Sequence, residues 1–415
     1  MPSAAYDIVI TGAGMVGAAL ACALGASGLR IVVIEAQPLP AGIHPGDDYD
    51  LRVSAITRAS QRIFESVGAW DGMCARRISP FRDMHVWDAA GNGEIHFDSA
   101  EIGEDTLGHI IENRVIQLAL LERMRALDNV ELILPARLME FATHADSVEL
   151  RLDDGRCLVA RLAVGADGAE SHLRRLVGIA TRGWKYEQKA LVTTVQTELP
   201  HRETAWQRFL PTGPLAFLPL ADGRSSIVWS TTPERADTLL AMDEKGFLAE
   251  LEQAFDARLG CMIASPGPRA AFPLRLQHAT AYTAPRIALI GDAAHIIHPL
   301  AGQGVNLGLL DAATLAEVVL DAQRAGKDIG ALVTLRRYER WRKGGNLAMM
   351  AAMDGFKRLF GSDLTPLKLL RNLGLNITNA AVPVKNIVVR HAMGMSGDLP
   401  SMACGPMKAG QCGLS

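Results

Sequence analysis

The chain lacks most of the features that mark secreted, nucleic-acid-binding or membrane-spanning proteins. Its six cysteines are scattered, and no two form a Cys-x-x-Cys pair, which argues against a disulfide framework or a structural zinc site and suits a reducing compartment. The formal net charge is only −3, so no long-range field favours nucleic acid. No repeat or low-complexity stretch is evident. These absences favour a cytoplasmic globular protein, and 415 residues suffice for two intertwined domains.

The segment Ile8–Leu29 has no charged residue and is long enough to cross a bilayer. However, it contains five glycines, and the residues before it lack the basic region of a signal peptide. Its pattern is that of a strand, a tight turn and a helix of small residues. We therefore expect a soluble βα unit rather than a transmembrane helix.

The same segment has the glycine spacing of a dinucleotide-binding unit. A short apolar strand, Ile8–Ile10, leads into the loop, and a second apolar strand, Ile31–Ile34, follows the helix. In the loop, Gly12 permits the tight turn, Gly14 lets the backbone approach a pyrophosphate, and Gly17 lets the helix pack on the strand. The phosphates would then lie at the positive end of the helix.

Glu35 ends the second strand, 23 residues after Gly12. Its carboxylate can accept hydrogen bonds from both ribose hydroxyls and would repel a 2′-phosphate. The unit therefore predicts FAD or NAD as the bound dinucleotide.

A second glycine-rich segment, GDAAHIIHPLAGQGVNLG, begins at Gly291. The apolar strand before it ends in Asp292, whose carboxylate can bond the ribityl hydroxyls of FAD. The run Ala301–Gly304 begins a helix whose free N–H groups would stabilise the negative charge of reduced flavin. Because FAD is long enough to span both glycine loops, we predict that it binds with its pyrophosphate at the first loop and its redox ring at the second.

A third motif, GADG, places Asp167 and Gly168 between a strand and a short basic helix. The alternative is a plain turn in which Asp167 caps the helix. We expect Arg174 and Arg175 on this helix to form a solvated face.

Conventional catalytic and metal-binding arrangements are missing from the sequence. His295 and His298 form an HxxH pair, but no Cys or carboxylate lies at the spacing that a tetrahedral zinc site needs, so no metal is predicted. We also find no convincing triad, no carboxylate dyad and no second GxGxxG motif.

The three motifs, in this order and at these separations, resemble the single-component FAD-dependent aromatic hydroxylases typified by p-hydroxybenzoate hydroxylase. The stretches HPLAGQGVNLGLLD, FRDMHVWDAAGNGEIHFD, IIENRVIQLALLERM and RHAMGMSGDLP are similar to the ubiquinone-biosynthesis hydroxylases within that class. The resemblance runs over most of the chain. It implies an α/β fold in which a Rossmann-like FAD-binding domain is interleaved with a β-sheet substrate domain and followed by C-terminal helices.

The expected domains are discontinuous. The FAD-binding domain would comprise residues 1–72, 104–182 and 280–335, the substrate domain 73–103 and 183–279, and the C-terminal helical region 336–415. In the substrate domain, a hairpin from Phe81 to Phe97 would turn at Gly91–Gly93. Three strand-like runs follow, over residues 190–196, 214–219 and 226–230. Phe217, Leu218 and Trp229 in these runs are expected to pack in a core rather than line a pocket.

The resemblance also implies which residues contact the cofactor. Arg52, Arg114 and Gln117 would lie along FAD. The alternatives are that Arg52 forms an ordinary salt bridge in a loop, that Arg114 is a surface arginine, and that Gln117 is a glutamine at the start of a helix. Pro299, Gly302 and Gly304 would form the environment of the flavin ring, with no acid or base residue assigned. The full set of expected cofactor contacts is Gly12, Gly14, Gly17, Glu35, Arg52, Arg114, Gln117, Asp167, Gly168, Gly291, Asp292, Pro299, Gly302, Gln303, Gly304 and Asn306.

The chemistry implied by the resemblance is aromatic hydroxylation. NAD(P)H would reduce a tightly but non-covalently bound FAD, and O2 would add to give a flavin C4a-hydroperoxide that transfers OH in a closed apolar site. The best match is C5 hydroxylation of a 2-polyprenylphenol in ubiquinone biosynthesis. Several alternatives stay open: hydroxylation at C1 or C6, a different aromatic substrate, a flavin halogenase, a prenyl-chain reductase, or an FAD-stabilised assembly subunit. The stretch WxWxIP that is typical of the halogenases is absent.

The C-terminal region mixes apolar positions with Lys368, Arg371, Lys385 and Arg390. One interpretation is a packing or oligomer-forming tail. The other is a basic amphipathic surface that touches a membrane or another ubiquinone-biosynthesis enzyme. The expected partner is a polyprenylated aromatic small molecule, and no nucleic acid is expected. The expected location is cytoplasmic, and under the second interpretation it is peripheral to the inner membrane.

Overall fold

A computed structural model describes residues 5–44, 46–297, 304–360 and 365–404. Its strands form sheets of eight, nine and three strands. The predicted unit at Ile8–Leu29 is confirmed as a strand, a glycine loop and a helix. Among the described residues, no helix is long and apolar enough to span a bilayer.

The eight-stranded sheet carries the dinucleotide-binding unit. Its strands are β1 (Tyr6–Thr11), β2 (Ile31–Ile34), β8 (Val130–Ile133), β9 (Leu138–Thr143), β10 (Val148–Leu152), β11 (Cys157–Gly165), β18 (Thr283–Ala284) and β19 (Ile287–Leu289). In the order β8, β2, β1, β11, β19 they run parallel, while β18 pairs antiparallel at the edge. Strands β2 and β11 flank β1 on opposite sides, so the strand order reverses at β1. Ligands of open parallel sheets bind beside such a reversal, at the carboxyl ends of the strands.

Helices bury the parallel strands because strands of such a sheet are apolar on both faces. The helices of this part are α1 (Met15–Ala23), α2 (Arg58–Ser66), α3 (Trp70–Cys74), α4 (Asn113–Arg125), α5 (His172–Leu176) and α8 (Gly304–Arg324). Helix α1 packs against both α4 and α8 in the largest core cluster. The close approach of α1 to β1 depends on Gly17, whose added Cβ would lie 2.0 Å from the carbonyl oxygen of Gly12.

The nine-stranded sheet contains the predicted hairpin and strands. Its members are β5 (Asp83–Asp88), β6 (Glu94–Asp98), β12 (Thr181–Thr197), β13 (Thr204–Leu210), β14 (Gly213–Pro219), β15 (Ser225–Thr231), β16 (Met262–Ala264), β17 (Ala270–Ala279) and β20 (His295–Ile296). The hairpin is confirmed as β5 and β6, which pair antiparallel. The three predicted runs are confirmed within β12, β14 and β15, and β6 lies at one edge of the sheet.

The two faces of this sheet pack against different helices, because alternate side chains point to opposite faces. Phe217 and Trp229 lie in a core with α6 (Pro233–Ala241) and α7 (Glu244–Phe255), as predicted. The expectation is wrong for Leu218, which points to the opposite face, packs with Val389 and Met393, and lines a cavity there. That face is covered by three C-terminal helices, α9 (Leu332–Phe360), α10 (Thr365–Ala380) and α11 (Val382–Ala392).

The third sheet consists of β3 (Val53–Thr57), β4 (Ser79–Phe81) and β7 (Gly108–Glu112), with β7 in the centre. The domain division stays a proposal. The membership of the two large sheets supports it, although β20 joins the nine-stranded sheet from a segment assigned to the FAD-binding domain.

Candidate functional site

The three sequence motifs lie side by side at one edge of the eight-stranded sheet. They follow the carboxyl ends of β1, β11 and β19, which are adjacent parallel strands. Backbone hydrogen bonds fix their mutual register: the amide of Ala166 donates to Thr11 O at 2.9 Å, and the amide of Ile290 donates to Gly165 O at 3.0 Å. Motifs that are far apart in sequence therefore form a single site.

The first loop leaves space in front of helix α1. Gly12 has φ +102°, and an added Cβ would lie 2.4 Å from the carbonyl oxygen of Ala166, so only glycine fits there. Gly14 is the N-cap of α1, no side chain caps the helix there, and nothing lies within 4 Å of its Cβ direction. The first N–H groups of α1 are therefore available to a pyrophosphate.

Glu35 and Gln117 hold the backbone of this loop from two sides. The carboxylate of Glu35 accepts hydrogen bonds from the amides of Ala13 and Gln37, each at 2.8 Å. The side-chain amide of Gln117, on α4, donates to Ala13 O at 3.2 Å. Each carboxylate oxygen has a second lone pair, so Glu35 can still accept a ribose hydroxyl.

The two predicted arginines occupy different surroundings. Arg114 is half-buried, and its guanidinium lies 3.5 Å from the carboxylate of Asp50 and 4.0 Å from that of Asp47. Arg52 is exposed, and its guanidinium lies 6.0 Å from the ring centre of Phe272 on β17. Their contact with FAD stays a proposal.

Asp167 caps helix α5, the alternative considered for the GADG motif. One carboxylate oxygen accepts from Ser171 Oγ at 2.5 Å, and the other from the amides of His172 and Leu173 at 2.6 and 3.1 Å. Gly168, with φ +78°, provides the turn. The motif thus has a structural role besides any contact with the cofactor.

The expectation of a solvated arginine pair on α5 is wrong for Arg174, although Arg175 is exposed. Arg174 is buried, and its guanidinium donates to Ala293 O at 2.7 Å and Ala169 O at 3.0 Å. Burial lowers its pKa. The reason for the error is that α5 lies against the turn Gly291–Ala293, so Arg174 ties the GADG motif to the Asp292 turn.

Asp292 has the properties that the ribityl role requires. The residue is exposed to solvent, and its carboxylate has no hydrogen-bond partner among the described residues. Protein nevertheless surrounds the carboxylate on most sides. These surroundings raise its pKa, while His295, Arg52 and Arg275 oppose the rise. A partly desolvated but accessible carboxylate is suited to accepting hydrogen bonds from ligand hydroxyls.

Beneath the Asp292 turn lies a buried polar network that sequence reasoning missed. Asp311, on α8, lies 2.5 Å from Nε2 of His295 and accepts hydrogen bonds from the amide of Gly291 at 3.2 Å, Nε of Arg342 at 2.9 Å and the amide of Asn346 at 3.1 Å. Burial acts to raise the pKa of Asp311, but His295 and Arg342 prevail and lower it to about 2. The signal in the sequence was that Asp311 is the one charged residue in the first thirteen residues of α8, Gly304 to Ala316.

The start of α8 is joined to the three-stranded sheet through Asn306. Its side-chain oxygen accepts from the amide of Thr57 at 3.1 Å, and its nitrogen donates to Ala55 O at 2.8 Å. Gly304 is the first residue of α8, and nothing lies within 4 Å of its Cβ direction. The predicted contacts that lie outside the described residues are Pro299, Gly302 and Gln303, together with His298.

An apolar cavity adjoins this end of α8. It lies between the nine-stranded sheet, the three-stranded sheet and the end of α11. Its walls include Ala55, Thr57, Met84, Ala216, Leu218 and Met393. Because Thr57 is bonded to Asn306, the cavity lies beside the helix start that is expected to face the flavin ring.

The arrangement fits FAD. The space in front of α1 suits the pyrophosphate, Glu35 the ribose, and the accessible carboxylate of Asp292 the ribityl chain, with an apolar cavity beyond. No group of three His, Cys, Asp or Glu that could hold a metal occurs in the part of the chain that the structure describes.

Solved structures show the same fold. The crystal structure of Pseudomonas aeruginosa PqsL in complex with 2-aminobenzoylacetate is 25% identical, has a TM-score of 0.75, and aligns over 90% of this chain and 100% of that one. The fold and the site together define an FAD-dependent monooxygenase.

Sequence comparison gives the family. The model of the FAD binding domain matches residues 5–342. Ubiquinone hydroxylase UbiL of Rhodospirillum rubrum is 42% identical, covering 94% of this chain and 89% of the relative. The 3-demethoxyubiquinol 3-hydroxylase of Escherichia coli is 40% identical, covering 94% and 98%. The chain belongs to the FAD-dependent hydroxylases of ubiquinone biosynthesis, and the resemblance inferred from its motifs is confirmed.

Proposed function

We propose that the protein hydroxylates the aromatic ring of a polyprenylated phenol or quinol precursor of ubiquinone, with C5 of a 2-polyprenylphenol as the preferred position. The observation that carries this proposal is the relationship to two ubiquinone hydroxylases, which are 42% and 40% identical over 94% of the chain. The apolar lining of the small cavity beside the start of α8 agrees with an aromatic, lipid-like substrate. The names of the relatives support the substrate class, and one of them acts on a demethoxyubiquinol. Positions C1 and C6 stay open as alternatives.

The chain's own residues would hold FAD and position the ring. The loop at Gly12 and Gly14 would bind the pyrophosphate, Glu35 the ribose and Asp292 the ribityl chain, with the first turn of α8 facing the flavin ring. When bound, FAD supplies the redox chemistry that activates O2, with NAD(P)H as the typical reductant of this class. The remaining task of the protein is to orient the substrate and exclude water.

The lining of the cavity is mostly apolar, which suits that task. Its polar groups include the side chain of Gln207 and the indole N–H of Trp206, which is buried without a hydrogen-bond partner among the described residues. The amide of Thr57 and the carbonyl of Ala55, on its wall near α8, are both bonded to Asn306. Ala216, Leu218 and Met393 are apolar. A site that excludes water limits the decay of a reactive oxygen intermediate. The cofactor supplies the reactive oxygen, so we assign no acid or base residue.

A lipid precursor also defines the expected partner. The polyprenyl chain is insoluble in water, so the enzyme would meet its substrate at a membrane surface. The other partners expected from the sequence, a second copy of the chain and other enzymes of the pathway, stay predictions.

The test is a deletion strain of the source organism. We expect it to lose ubiquinone and to accumulate a prenylated precursor that lacks one ring hydroxyl, identified by mass spectrometry and NMR of the lipid extract. The wild-type gene should restore ubiquinone, whereas a copy encoding Asp292→Ala should not. A normal ubiquinone content in the deletion strain would rule the proposal out. If the accumulated precursor lacked the hydroxyl at C1 or C6, that position would replace C5 in the proposal.

A further inference from the structure

Helix α10 directs its polar side chains toward the protein. Three asparagines on one side of the helix lie along β6, the edge strand of the nine-stranded sheet. They accept hydrogen bonds from backbone amides of β6 and the turn before it: Asn372 from Gly93 at 2.5 Å, Asn376 from Glu94 at 3.1 Å, and Asn379 from His96 at 3.2 Å. The helix thereby covers an exposed sheet edge with polar groups.

The charged side chains of α10 and α11 also point inward. Arg371 is buried and bonds the carboxylate of Asp88 at 2.6 Å. Lys385 is buried and lies 2.6 Å from the carboxylate of Glu101. The second interpretation of this region, a basic amphipathic surface, is therefore wrong for both residues, which pack against the protein as the first interpretation holds. Arg390 is exposed at the end of α11, and the side chain of Lys368 lies outside the described ones.

The opposite side of these helices is apolar and open to solvent. Its large exposed side chains, which we call the outer face, are Leu373, Ile377, Val384, Ile387 and Val388. Ile387 is 68% exposed and Ile377 56%. From Asn372 to Val389 the only charged residue is Lys385, which points inward. The two helices bury some apolar side chains, such as Leu375 and Val389, but they also expose a second apolar side, which an amphipathic helix of a globular protein usually does not.

We propose that the outer face inserts shallowly into a lipid bilayer and that α11 separates the bilayer from the substrate cavity. The same helix presents Ile387 and Val388 outward and Val389 inward, and the next residue after it, Met393, lines the cavity. A lipid substrate could therefore pass from the bilayer to the cavity along α11. This inference rests on the proposed function, because only a polyprenylated substrate needs such a route.

The absence of charge on the outer face favours lipid over a protein partner. Charged and polar groups fix the register and orientation of protein complexes. A bilayer requires only apolar area at the boundary of its acyl chains, with polar groups at the rim. Arg390 and His391, exposed at the end of α11, lie where such a rim would be.

The experiment is flotation of the FAD-loaded protein with vesicles of phosphatidylcholine, alone and mixed with phosphatidylglycerol. We expect binding to both, with little effect of salt, because the outer face carries no charge. The variant Ile377→Glu with Ile387→Glu should bind about tenfold more weakly or worse, since two inserted apolar side chains become charged. The matched control is Ile263→Glu with Val333→Glu, which changes two exposed apolar residues elsewhere (54% and 78% exposed) and should bind as wild type does.

Two further readouts separate this inference from the proposed function. FAD content and hydroxylation of a short-chain, water-soluble phenol should be equal in wild type and both variants, whereas only the outer-face variant should lose activity on a long-chain phenol in vesicles. Equal vesicle binding by all three proteins, or binding only to anionic vesicles, would overturn the inference alone. So would a wild-type dimer that the outer-face variant dissociates. Failure of all proteins to hydroxylate either phenol would overturn the proposed function instead.

Discussion

At the scale of single residues, Asp292 is the side chain on which cofactor binding depends most. Its carboxylate is accessible at the end of β19, and its surroundings raise its pKa. We expect Asp292→Ala to bind FAD about tenfold to a hundredfold more weakly, since hydrogen bonds to a charged group contribute roughly 1.5–3 kcal/mol. Fluorescence titration of FAD would measure the change.

The protein should also lose thermal stability in proportion to the FAD it loses. The matched control is Asp237→Ala, which removes an exposed aspartate paired with Lys189 and should keep full FAD content. A yellow Asp292→Ala protein of normal stability would show that another group holds the ribityl chain.

A second residue-scale prediction concerns Asp311, whose folded-state pKa is about 2 against an ordinary 3.8. A depressed carboxyl pKa stabilises the folded state above pH about 4, and this contribution is lost as pH falls toward 2. At pH 7, Asp311→Asn should destabilise the protein by roughly 3 kcal/mol, because it leaves Arg342 buried without its counter-charge.

Scanning calorimetry between pH 3 and 7 would measure the effect of this substitution. Asp321→Asn, which removes a partly exposed acid from the same helix, should change the midpoint little. Equal midpoints for the two variants would show that the buried network is not what holds the Asp292 turn.

The sequence predicted some of these residues and not others for a physical reason. Gly12 and Asp292 lie in local patterns in which each residue follows the end of a strand, so spacing along the chain reveals them. Asp311 and Arg342 are 31 residues apart on different helices and meet only after α8 and α9 pack. Arg174 was misjudged because the neighbour that buries it, Ala293, is distant in sequence.

At the scale of secondary-structure elements, β14 forms part of the cavity wall, so a substitution on this strand tests whether the cavity binds the substrate. Ala216 is a small residue on this wall. Ala216→Phe should fill the cavity, raise the KM for a prenylated phenol or abolish its hydroxylation, and leave FAD bound, since the cofactor contacts lie on other elements. Steady-state kinetics and the FAD absorbance of the purified variant would measure both effects.

Ala221→Phe is the control, because Ala221 is exposed in the turn after the same strand. Unchanged kinetics in Ala216→Phe would place the substrate elsewhere. Loss of FAD together with activity would show that the strand supports the cofactor site and not only the substrate.

Strands were easier to predict than the orientation of the last helices. The β5–β6 hairpin and the runs in β12, β14 and β15 follow from alternation and turn residues, which are local properties. Polar residues of a surface helix usually face solvent, but the asparagines of α10 face the protein because they accept hydrogen bonds from backbone amides of β6. That requirement comes from a sheet edge 282 to 283 residues earlier in the chain, so no local pattern reveals it.

At the scale of the whole molecule, the eight-stranded sheet and the nine-stranded sheet meet around one site. The parallel strands supply three loops for a single dinucleotide, and the nine-stranded sheet supplies one wall of the apolar cavity. The sequence indicated this architecture through its motifs and family resemblance. It could not give contacts such as those of Asn306, which join α8 to the three-stranded sheet across about 250 residues of sequence.

The most direct measurement of the central claim is oxygen incorporation by the purified FAD-loaded protein. The protein would be supplied with NAD(P)H, a 2-polyprenylphenol and 18O2, and the lipid product analysed by mass spectrometry. We expect a product with one added hydroxyl whose oxygen carries the 18O label, formed only when the phenol is present. Oxidation of NAD(P)H that yields only hydrogen peroxide, whether or not a phenol is added, would contradict it.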